Sequence, residues 1–165
     1  MKAVVVFESH WGNTAAIARA IAEGMGAGTQ ALTTSEATAS ALAGVDFIVA
    51  GSPLLGFSLP TEQMIHGLAT NPGTAPNPPD ISHPGIRTWL STLPTGSGRC
   101  AAFETRIWWS PGSAAKTIEN ALTRIGYRSA SKARQFIVKG RYGPLKDGEL
   151  EKARLWGAEL AGQAS

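Results

Sequence analysis

The chain has 165 residues, 43% hydrophobic and 16% charged with a formal net charge of +3, which suits one packed domain and excludes a disordered or coiled-coil chain. Its single cysteine excludes a disulfide framework and a thiol-rich metal site, and no apolar stretch reaches the roughly 18 residues of a membrane span. Because the positive charges are scattered and no nucleic-acid-binding motif accompanies them, we predict a cytoplasmic domain over residues 1–165 that binds neither nucleic acid nor membrane.

Apolar runs of strand length recur along the chain without alternating, which is typical of parallel strands buried on both faces. These runs are residues 3–7, 29–33, 47–50, 100–103 and 136–138. Segments with helical periodicity lie between them, at residues 14–25, 35–42, 86–93, 114–125 and 150–160. The alternation predicts an α/β fold, a three-layer, doubly wound, five-stranded parallel sheet with helices on both faces.

A proline-rich stretch at about residues 70–85 interrupts this alternation. Its prolines exclude regular structure, so we predict a long loop within the third connection. Loops of this length in compact domains are usually functional or mobile.

The turn after the first strand reads Ser-His-Trp-Gly-Asn-Thr, residues 9–14, and a helix follows it. The free N–H groups and positive dipole at a helix N-terminus favour a phosphate group. Gly12 allows close approach, and Ser9, Asn13 and Thr14 can donate hydrogen bonds. Alternatively, Asn13 or Thr14 only caps the helix. His10 either supplies positive charge or, in the interpretation we favour, is an ordinary exposed histidine.

Several known anion-binding arrangements are excluded by the sequence. It contains neither G-x-x-x-x-G-K-S/T nor G-x-G-x-x-G. A response-regulator interpretation lacks the acidic cluster after the first strand, and a phosphatase interpretation lacks a cysteine in the first loop.

The remaining pattern resembles the flavodoxin family. Residues 9–14 match the family's first loop, in which hydroxyl residues occupy the first, third and sixth positions and glycine the fourth, except that Trp11 replaces a hydroxyl residue. Residues 51–53 match a Gly-Ser-Pro turn after the third strand, and residues 103–122 match the loop and helix after the fourth. No insertion splits the fifth strand, as in the short-chain form. The resemblance implies strand order 2-1-3-4-5.

The resemblance implies FMN as the ligand, with its phosphate in the first loop and its ring between residues 53–57 and 104–110. Gly56 either permits a peptide flip toward the ring or simply turns the chain, and Trp108 and Trp109 either stack on the ring or pack elsewhere. The cofactor-binding residues implied are Ser9, His10, Trp11, Gly12, Asn13, Thr14, Pro53, Leu54, Leu55, Gly56, Phe57, Glu104, Thr105, Arg106, Trp108 and Trp109.

The charge near the ring differs from that of the usually acidic flavodoxins. Arg106 would stabilise the charge of an added electron, so we expect a less negative second reduction potential. Glu8 and Glu104 are candidates for proton transfer, but capping a loop or pairing with arginine is the interpretation we favour.

Three functions are compatible with this sequence. The first is an FMN-dependent electron carrier, a monomer or weak dimer that meets redox partner proteins transiently. The second is a small flavin-dependent reductase that uses NAD(P)H or a deazaflavin, with residues 59–85 covering a substrate. The third is a flavin-free binding module on the same fold.

Overall fold

The structure, a computed structural model, describes residues 1–163. These residues form six strands: β1 (Ala3–Phe7), β2 (Gln30–Thr33), β3 (Phe47–Pro53), β4 (Arg99–Arg106), β5 (Arg128–Ser129) and β6 (Arg134–Ile137). The same residues form five helices: α1 (Asn13–Met25), α2 (Glu62–Thr70), α3 (Ile86–Ser91), α4 (Ala114–Arg124) and α5 (Glu149–Gly162). None of these helices, within the described part of the chain, is long and apolar enough to cross a membrane.

The strands form one parallel sheet in the order β2-β1-β3-β4, with β5 and β6 both beside β4. This confirms the predicted order 2-1-3-4-5, in which β5 and β6 share the fifth position. Cys100 of β4 pairs with Ser129 of β5, and Phe103 of β4 pairs with Arg134 of β6. The neighbouring strand thus has more residues than β4 over the same length, and residues 130–133 interrupt it. The sequence predicts a fifth strand without such an interruption.

Helices cover both faces of the sheet because successive strand side chains point to opposite sides. Val5 and Phe7 face a core built with α1 and α5, and Val4 and Val6 face a core built with α3 and α4. The largest buried side chain, Trp156 of α5, belongs to the first of these cores.

Helices α1 and α5 pack against each other through glycine. A Cβ atom on Gly24 would clash with the carbonyl group of Arg154, and one on Gly157 would clash with the carbonyl oxygen of Ile21. This close approach brings the N-terminal end of α5, and the loop before it, toward the N-terminus of α1.

Two connections differ from the sequence prediction. Residues 35–42 form turns instead of a helix. The Glu36 carboxylate accepts hydrogen bonds from the backbone N–H and the hydroxyl of Thr33, a local arrangement that competes with helix formation. Helix α2 was not predicted; the Thr61 side chain caps it, and it buries Ile65 and Leu68. Residues 71–85, all of them described, contain neither helix nor strand.

Candidate functional site

The first loop, residues 8–12, ends at an α1 N-terminus that carries no side-chain cap. Gly12 occupies the N-cap position with φ +92°, a conformation that favours glycine. Its N–H donates to the Ser9 hydroxyl oxygen at 3.1 Å, which leaves the hydroxyl hydrogen of Ser9 available to another acceptor. No acidic residue lies in the first turn of α1.

Each of the other four helices within residues 1–163 has a side chain that accepts a hydrogen bond from its N–H groups, or an acidic residue in its first turn. Thr61 caps α2 and Ser113 caps α4. The Glu8 carboxylate accepts a hydrogen bond from the first amide of α3, and α5 carries Glu149 and Glu151 in its first turn. Helix α1 is thus the one whose N–H groups and positive dipole are left for an external anion.

A cavity of about 100 Å³ lies between this N-terminus and the loops that follow β3, β4 and β6. The predicted residues that line it are Ser9, His10, Trp11, Asn13, Thr14, Pro53, Leu54, Leu55, Thr105 and Arg106. The predicted residues outside its lining are Gly12, Gly56, Phe57, Glu104, Trp108 and Trp109. The structure therefore brings the side chains of the first loop together with the base of the loops after β3 and β4.

Two hydroxyl groups meet at the centre of the cavity wall. Thr14 Oγ1 lies 2.8 Å from Thr105 Oγ1, and both side chains are buried. Whichever hydroxyl donates in this bond, the other keeps its own hydrogen for a third group. The pair joins α1 to β4 and leaves one donor for a ligand.

His10 differs from the exposed histidine that we favoured, because it is only 7% exposed. Its Nδ1 lies 2.7 Å from the carbonyl oxygen of Asp80, and its Nε2 lies 2.7 Å from Glu8 Oε2. Burial disfavours the charged ring, but the hydrogen bonds to Glu8 and to the Asp80 carbonyl outweigh it, so the pKa of His10 is raised. Both nitrogens of His10 are thus engaged with protein atoms, and the Glu8 carboxylate lies beside any positive charge on the ring.

Glu8 has a structural role in this arrangement. Its second oxygen, Oε1, accepts the 2.8 Å hydrogen bond from the N–H of Ile86. The carboxylate therefore bridges His10 and the start of α3, in line with the capping role that we favoured over proton transfer.

Trp11 holds three loops together. Its indole N–H donates to the carbonyl oxygen of Asn77 in the Pro-rich loop, residues 71–85, at 3.0 Å. Its ring meets that of Tyr142 edge to face, with centroids 4.8 Å apart. Tyr142 belongs to the last loop, residues 138–148; its hydroxyl donates to Pro72 and its carbonyl oxygen accepts from the Asn13 amide. The side chain that departs from the flavodoxin pattern thus has a definite structural partner.

The loop after β3 makes a tight turn whose tip faces solvent. Leu55 and Ser58 pair across it, and Gly56 and Phe57 between them have φ values of +54° and +65°. A left-handed conformation is unfavourable for phenylalanine, so the turn holds Phe57 at a small energetic cost. The Phe57 side chain is 58% exposed.

Trp108 and Trp109 lie at the tip of the loop after β4, residues 107–113. They are 76% and 61% exposed. A Cβ atom on Gly112 would clash with the Phe57 carbonyl, so this loop abuts the turn after β3. The stacking of either tryptophan on a flavin ring stays a prediction.

Glu104 and Arg106 form a buried ion pair at the carboxyl end of β4. Arg106 Nη1 lies 3.2 Å from Glu104 Oε2, and the two side chains are 7% and 0% exposed. Glu104 Oε1 also accepts hydrogen bonds from the Ser113 hydroxyl and the N–H of Ala115, so this carboxylate faces α4. Glu104 thus pairs with an arginine, which is the role that we favoured over proton transfer, and its carboxylate balances the charge of Arg106.

Five residues of the cavity wall are absent from the predicted cofactor-binding residues, although two of them lie in the predicted segment 104–110: Ile107 and Ser110 in that segment, and Leu68, Val138 and Arg141 outside it. Leu68 belongs to the unpredicted helix α2. Val138 and Arg141 belong to the last loop, which reaches α1 because α1 and α5 occupy the same layer. The topology implied by the resemblance already places α1 and α5 on one face of the sheet. That placement could have predicted that the last loop contributes to the cavity wall.

The donors around the cavity suit an anionic ligand that also has an apolar part. Helix N–H groups and hydroxyls lie at one end, and Leu54 and Leu55 provide apolar wall at the other. Within residues 1–163, no group of three or more His, Cys, Asp or Glu side chains is placed to hold a metal ion.

Comparison with solved structures identifies the fold. A flavodoxin from the domain Archaea is 21% identical, with a TM-score of 0.68, and the match covers 99% of this chain and 98% of that one. Flavodoxin 1 from Bacillus cereus is 20% identical, with a TM-score of 0.68 and complete coverage of both chains. Rubredoxin oxygen:oxidoreductase from Desulfovibrio gigas is 17% identical, with a TM-score of 0.61; the match covers 99% of this chain and 36% of that one.

No protein-family model matches the chain, and no curated protein matches it by sequence. Identities near 20% between structures establish shared architecture alone. Together with the strand order, these similarities show that the chain has a flavodoxin-like fold.

Proposed function

We propose that this protein binds FMN and transfers electrons between partner proteins. The observation that carries the proposal is the N-terminus of α1, which has neither a side-chain cap nor a first-turn carboxylate and borders a cavity at the carboxyl end of the sheet. Ligands of doubly wound proteins bind at this edge. A phosphate there would accept hydrogen bonds from the α1 N–H groups and the Ser9 hydroxyl.

An unpaired donor in the cavity wall independently supports FMN as the ligand. Arg106 Nε is buried without a hydrogen-bond partner, the one such side-chain atom found in the described part of the chain. Buried donors are normally paired, so this atom indicates an acceptor supplied from outside the chain. A flavin ring has carbonyl and ring-nitrogen acceptors, and its apolar surface suits Leu54 and Leu55.

The size of the cavity sets a condition on binding. At about 100 Å³ it is smaller than the roughly 300–1,000 Å³ of typical small-molecule pockets. We therefore expect the loops after β3 and β4 to move apart when FMN binds.

Electron transfer is the chemistry that this site supports best. FMN supplies one-electron and two-electron chemistry when bound, and the protein supplies binding, orientation and electrostatics. The carboxylates nearest the cavity, Glu8 and Glu104, are engaged in structural contacts. We propose that the protein acts as a monomer or weak dimer that meets donor and acceptor proteins in transient complexes, and that FMN held by the residues of this cavity would supply the electron transfer between them.

A flavin-free binding module is the second candidate. The small cavity favours it, and so does Trp11, whose indole N–H is directed to the Asn77 carbonyl and not to a ligand. On this interpretation the aromatic tips at Phe57, Trp108 and Trp109 contact another protein without any cofactor.

Titration of the purified protein with FMN and with riboflavin, followed by flavin fluorescence, separates these candidates. Riboflavin lacks the phosphate, so an α1 phosphate site predicts at least tenfold tighter binding of FMN. Thr14→Val should reduce that preference severalfold by removing a hydroxyl beside the site, and Thr117→Val on α4 is the matched control. Absence of FMN binding, or equal affinity for both flavins, would contradict the proposal.

A second measurement addresses the reductase alternative. The FMN-loaded protein should pass electrons to a one-electron haem-protein acceptor but should not oxidise NADH or NADPH at a steady rate. Turnover of a nicotinamide would favour a reductase instead.

A further inference from the structure

Arg106 occupies an unusual position in the cavity wall. It is the last residue of β4, its side chain is 7% exposed, and it lines the cavity beside Thr105 and Ile107. Its Nε–H is buried and has no hydrogen-bond partner among residues 1–163. A guanidinium group with an unused donor at a cavity is prepared to bind an acceptor there.

The guanidinium is held through one of its terminal nitrogens, Nη1. Nη1 donates to Glu104 Oε2 at 3.2 Å and to the Gly112 carbonyl oxygen at 2.9 Å. Glu104 is itself held by the Ser113 hydroxyl at 2.7 Å and the Ala115 N–H at 3.1 Å. Because both partners are anchored, the orientation of Nε is set before any ligand arrives.

We propose that Arg106 Nε donates a hydrogen bond to an acceptor atom of the bound flavin, and that the Glu104–Arg106 pair sets its second one-electron potential. This inference rests on the proposed function and names the residues that would set the second potential of the bound flavin. Both charges of the pair, and not the charge of Arg106 alone, would act on that potential.

The second electron would bring negative charge close to the Glu104–Arg106 pair. That electron adds one negative charge to the cofactor unless a proton accompanies it. A guanidinium beside the cavity stabilises the added charge, and the Glu104 carboxylate on the same guanidinium opposes it. Both effects are strong because the pair is shielded from water.

Removing either partner should therefore move the potential in opposite directions. Arg106→Gln leaves the carboxylate without its cation, so the second potential should become more negative. Glu104→Gln leaves the cation without its carboxylate, so the second potential should become less negative. Each tenfold change in the relative stability of the two reduced forms corresponds to about 59 mV.

The experiment is a potentiometric titration of the FMN-loaded protein and its variants. Dithionite is oxidised to sulfite and supplies one electron at each step, and the absorption spectrum reports the two steps separately. The exposed pair Glu151–Arg154 on α5 provides matched controls, because Glu151→Gln and Arg154→Gln make the same charge changes far from the cavity. We expect a shift of at least 59 mV for the buried pair and little change for the exposed pair.

Arg106→Lys separates the hydrogen bond from the charge. Lysine keeps the positive charge but has no Nε–H, so oxidised FMN should bind severalfold more weakly while the second potential stays closer to wild type than in Arg106→Gln. Unchanged FMN affinity would overturn the hydrogen bond, as expected if a water molecule alone occupied that donor.

The outcomes distinguish this inference from the function on which it rests. If the wild-type protein binds no FMN, the proposed function fails and this inference fails with it. If FMN binds and the Arg106→Gln and Glu104→Gln shifts have the same sign, or match the exposed controls, the inference alone is overturned. If Arg106→Gln does not fold, the potential of Glu104→Gln tests the effect of the pair, and the FMN affinity of Arg106→Lys tests the hydrogen bond.

Discussion

The indole Nε1 of Trp11 donates a 3.0 Å hydrogen bond to the carbonyl oxygen of Asn77, 66 residues further along the chain. The bond joins the first loop to the Pro-rich loop, and the backbone of Asp80 adds a 2.8 Å hydrogen bond to the carbonyl oxygen of His10. A tryptophan in a turn expected to contain hydroxyl groups thus fixes a long proline-rich segment against the candidate phosphate site.

Replacing Trp11 with phenylalanine should loosen the Pro-rich loop. Phenylalanine keeps an aromatic ring beside Tyr142 but removes the N–H, and one hydrogen bond contributes about 0.5–1.5 kcal/mol. Hydrogen exchange of the amides in residues 71–85 should therefore accelerate roughly two- to tenfold if this bond limits local opening.

Trp89→Phe is the matched control for this prediction. The Trp89 indole makes a 3.0 Å hydrogen bond to the Ala37 carbonyl, in the core that contains α3 and α4. Its loss should leave exchange in residues 71–85 unchanged. If both variants accelerated amide exchange in residues 71–85 equally, the cause would be general destabilisation of the fold and not the loss of the hydrogen bond between Trp11 and Asn77.

The fold was largely predictable because buried parallel strands have a distinctive pattern. Runs such as Ala3–Phe7 are too apolar for a half-exposed strand, and helical stripes such as Ile17, Ala18 and Ile21 separate them. The errors came from weaker signals. Residues 35–42 contain alanines that favour a helix, but serine, threonine and the Thr33–Glu36 contacts favour turns.

The residues of the candidate site that lie together in one segment could be predicted from the sequence. The contacts that this segment makes with distant parts of the chain could not. Ser9, Asn13 and Thr14 follow from the turn and helix that contain them. The burial of His10 depends on Asp80, and the partner of Trp11 is Asn77, both in a loop whose path no local pattern specifies. Proline and glycine determine that such a segment is irregular without determining where it lies.

Gly157→Ala should destabilise the protein even though alanine favours helices. A Cβ atom at this position would clash with the carbonyl oxygen of Ile21 and force α1 and α5 apart. Overpacking of this kind typically costs about 1–3 kcal/mol. Urea unfolding followed by circular dichroism measures the loss. Gly67→Ala is the control: nothing lies within 4 Å of its added Cβ, so it should stabilise α2 by up to about 1 kcal/mol.

Cys100 should be unreactive in the native protein. Its side chain is fully buried, and burial raises the pKa of the thiol to about 11. At about pH 8 the thiolate fraction is therefore roughly a hundredfold smaller than for a thiol with the ordinary pKa of 9.0. A chromogenic disulfide reagent should label the native protein very slowly and the protein in guanidinium chloride at once. Rapid stoichiometric labelling of the native protein would contradict the buried position.

The His10–Glu8 contact should make stability depend on pH. Burial disfavours the His10 cation, but the hydrogen bonds to Glu8 and the Asp80 carbonyl raise its pKa above the ordinary 6.5. A raised pKa in the folded state stabilises that state fully below pH 6.5, and this contribution is lost as the pH rises through the folded-state pKa. The free energy of unfolding should accordingly decline as the pH rises above about 6.5 and through the folded-state pKa of His10.

Urea unfolding at several pH values, with His10→Gln beside the wild type, tests this contribution. Glutamine does not titrate, so the variant should be less stable at low pH, and its deficit should shrink as the pH rises. Exposed His66 is the control, and His66→Gln should follow the wild-type profile. The sign is informative, because a histidine buried without acceptors would give the opposite slope. A deficit that is constant with pH would show that His10 contributes packing alone and that the ring carries no charge beneath the first loop.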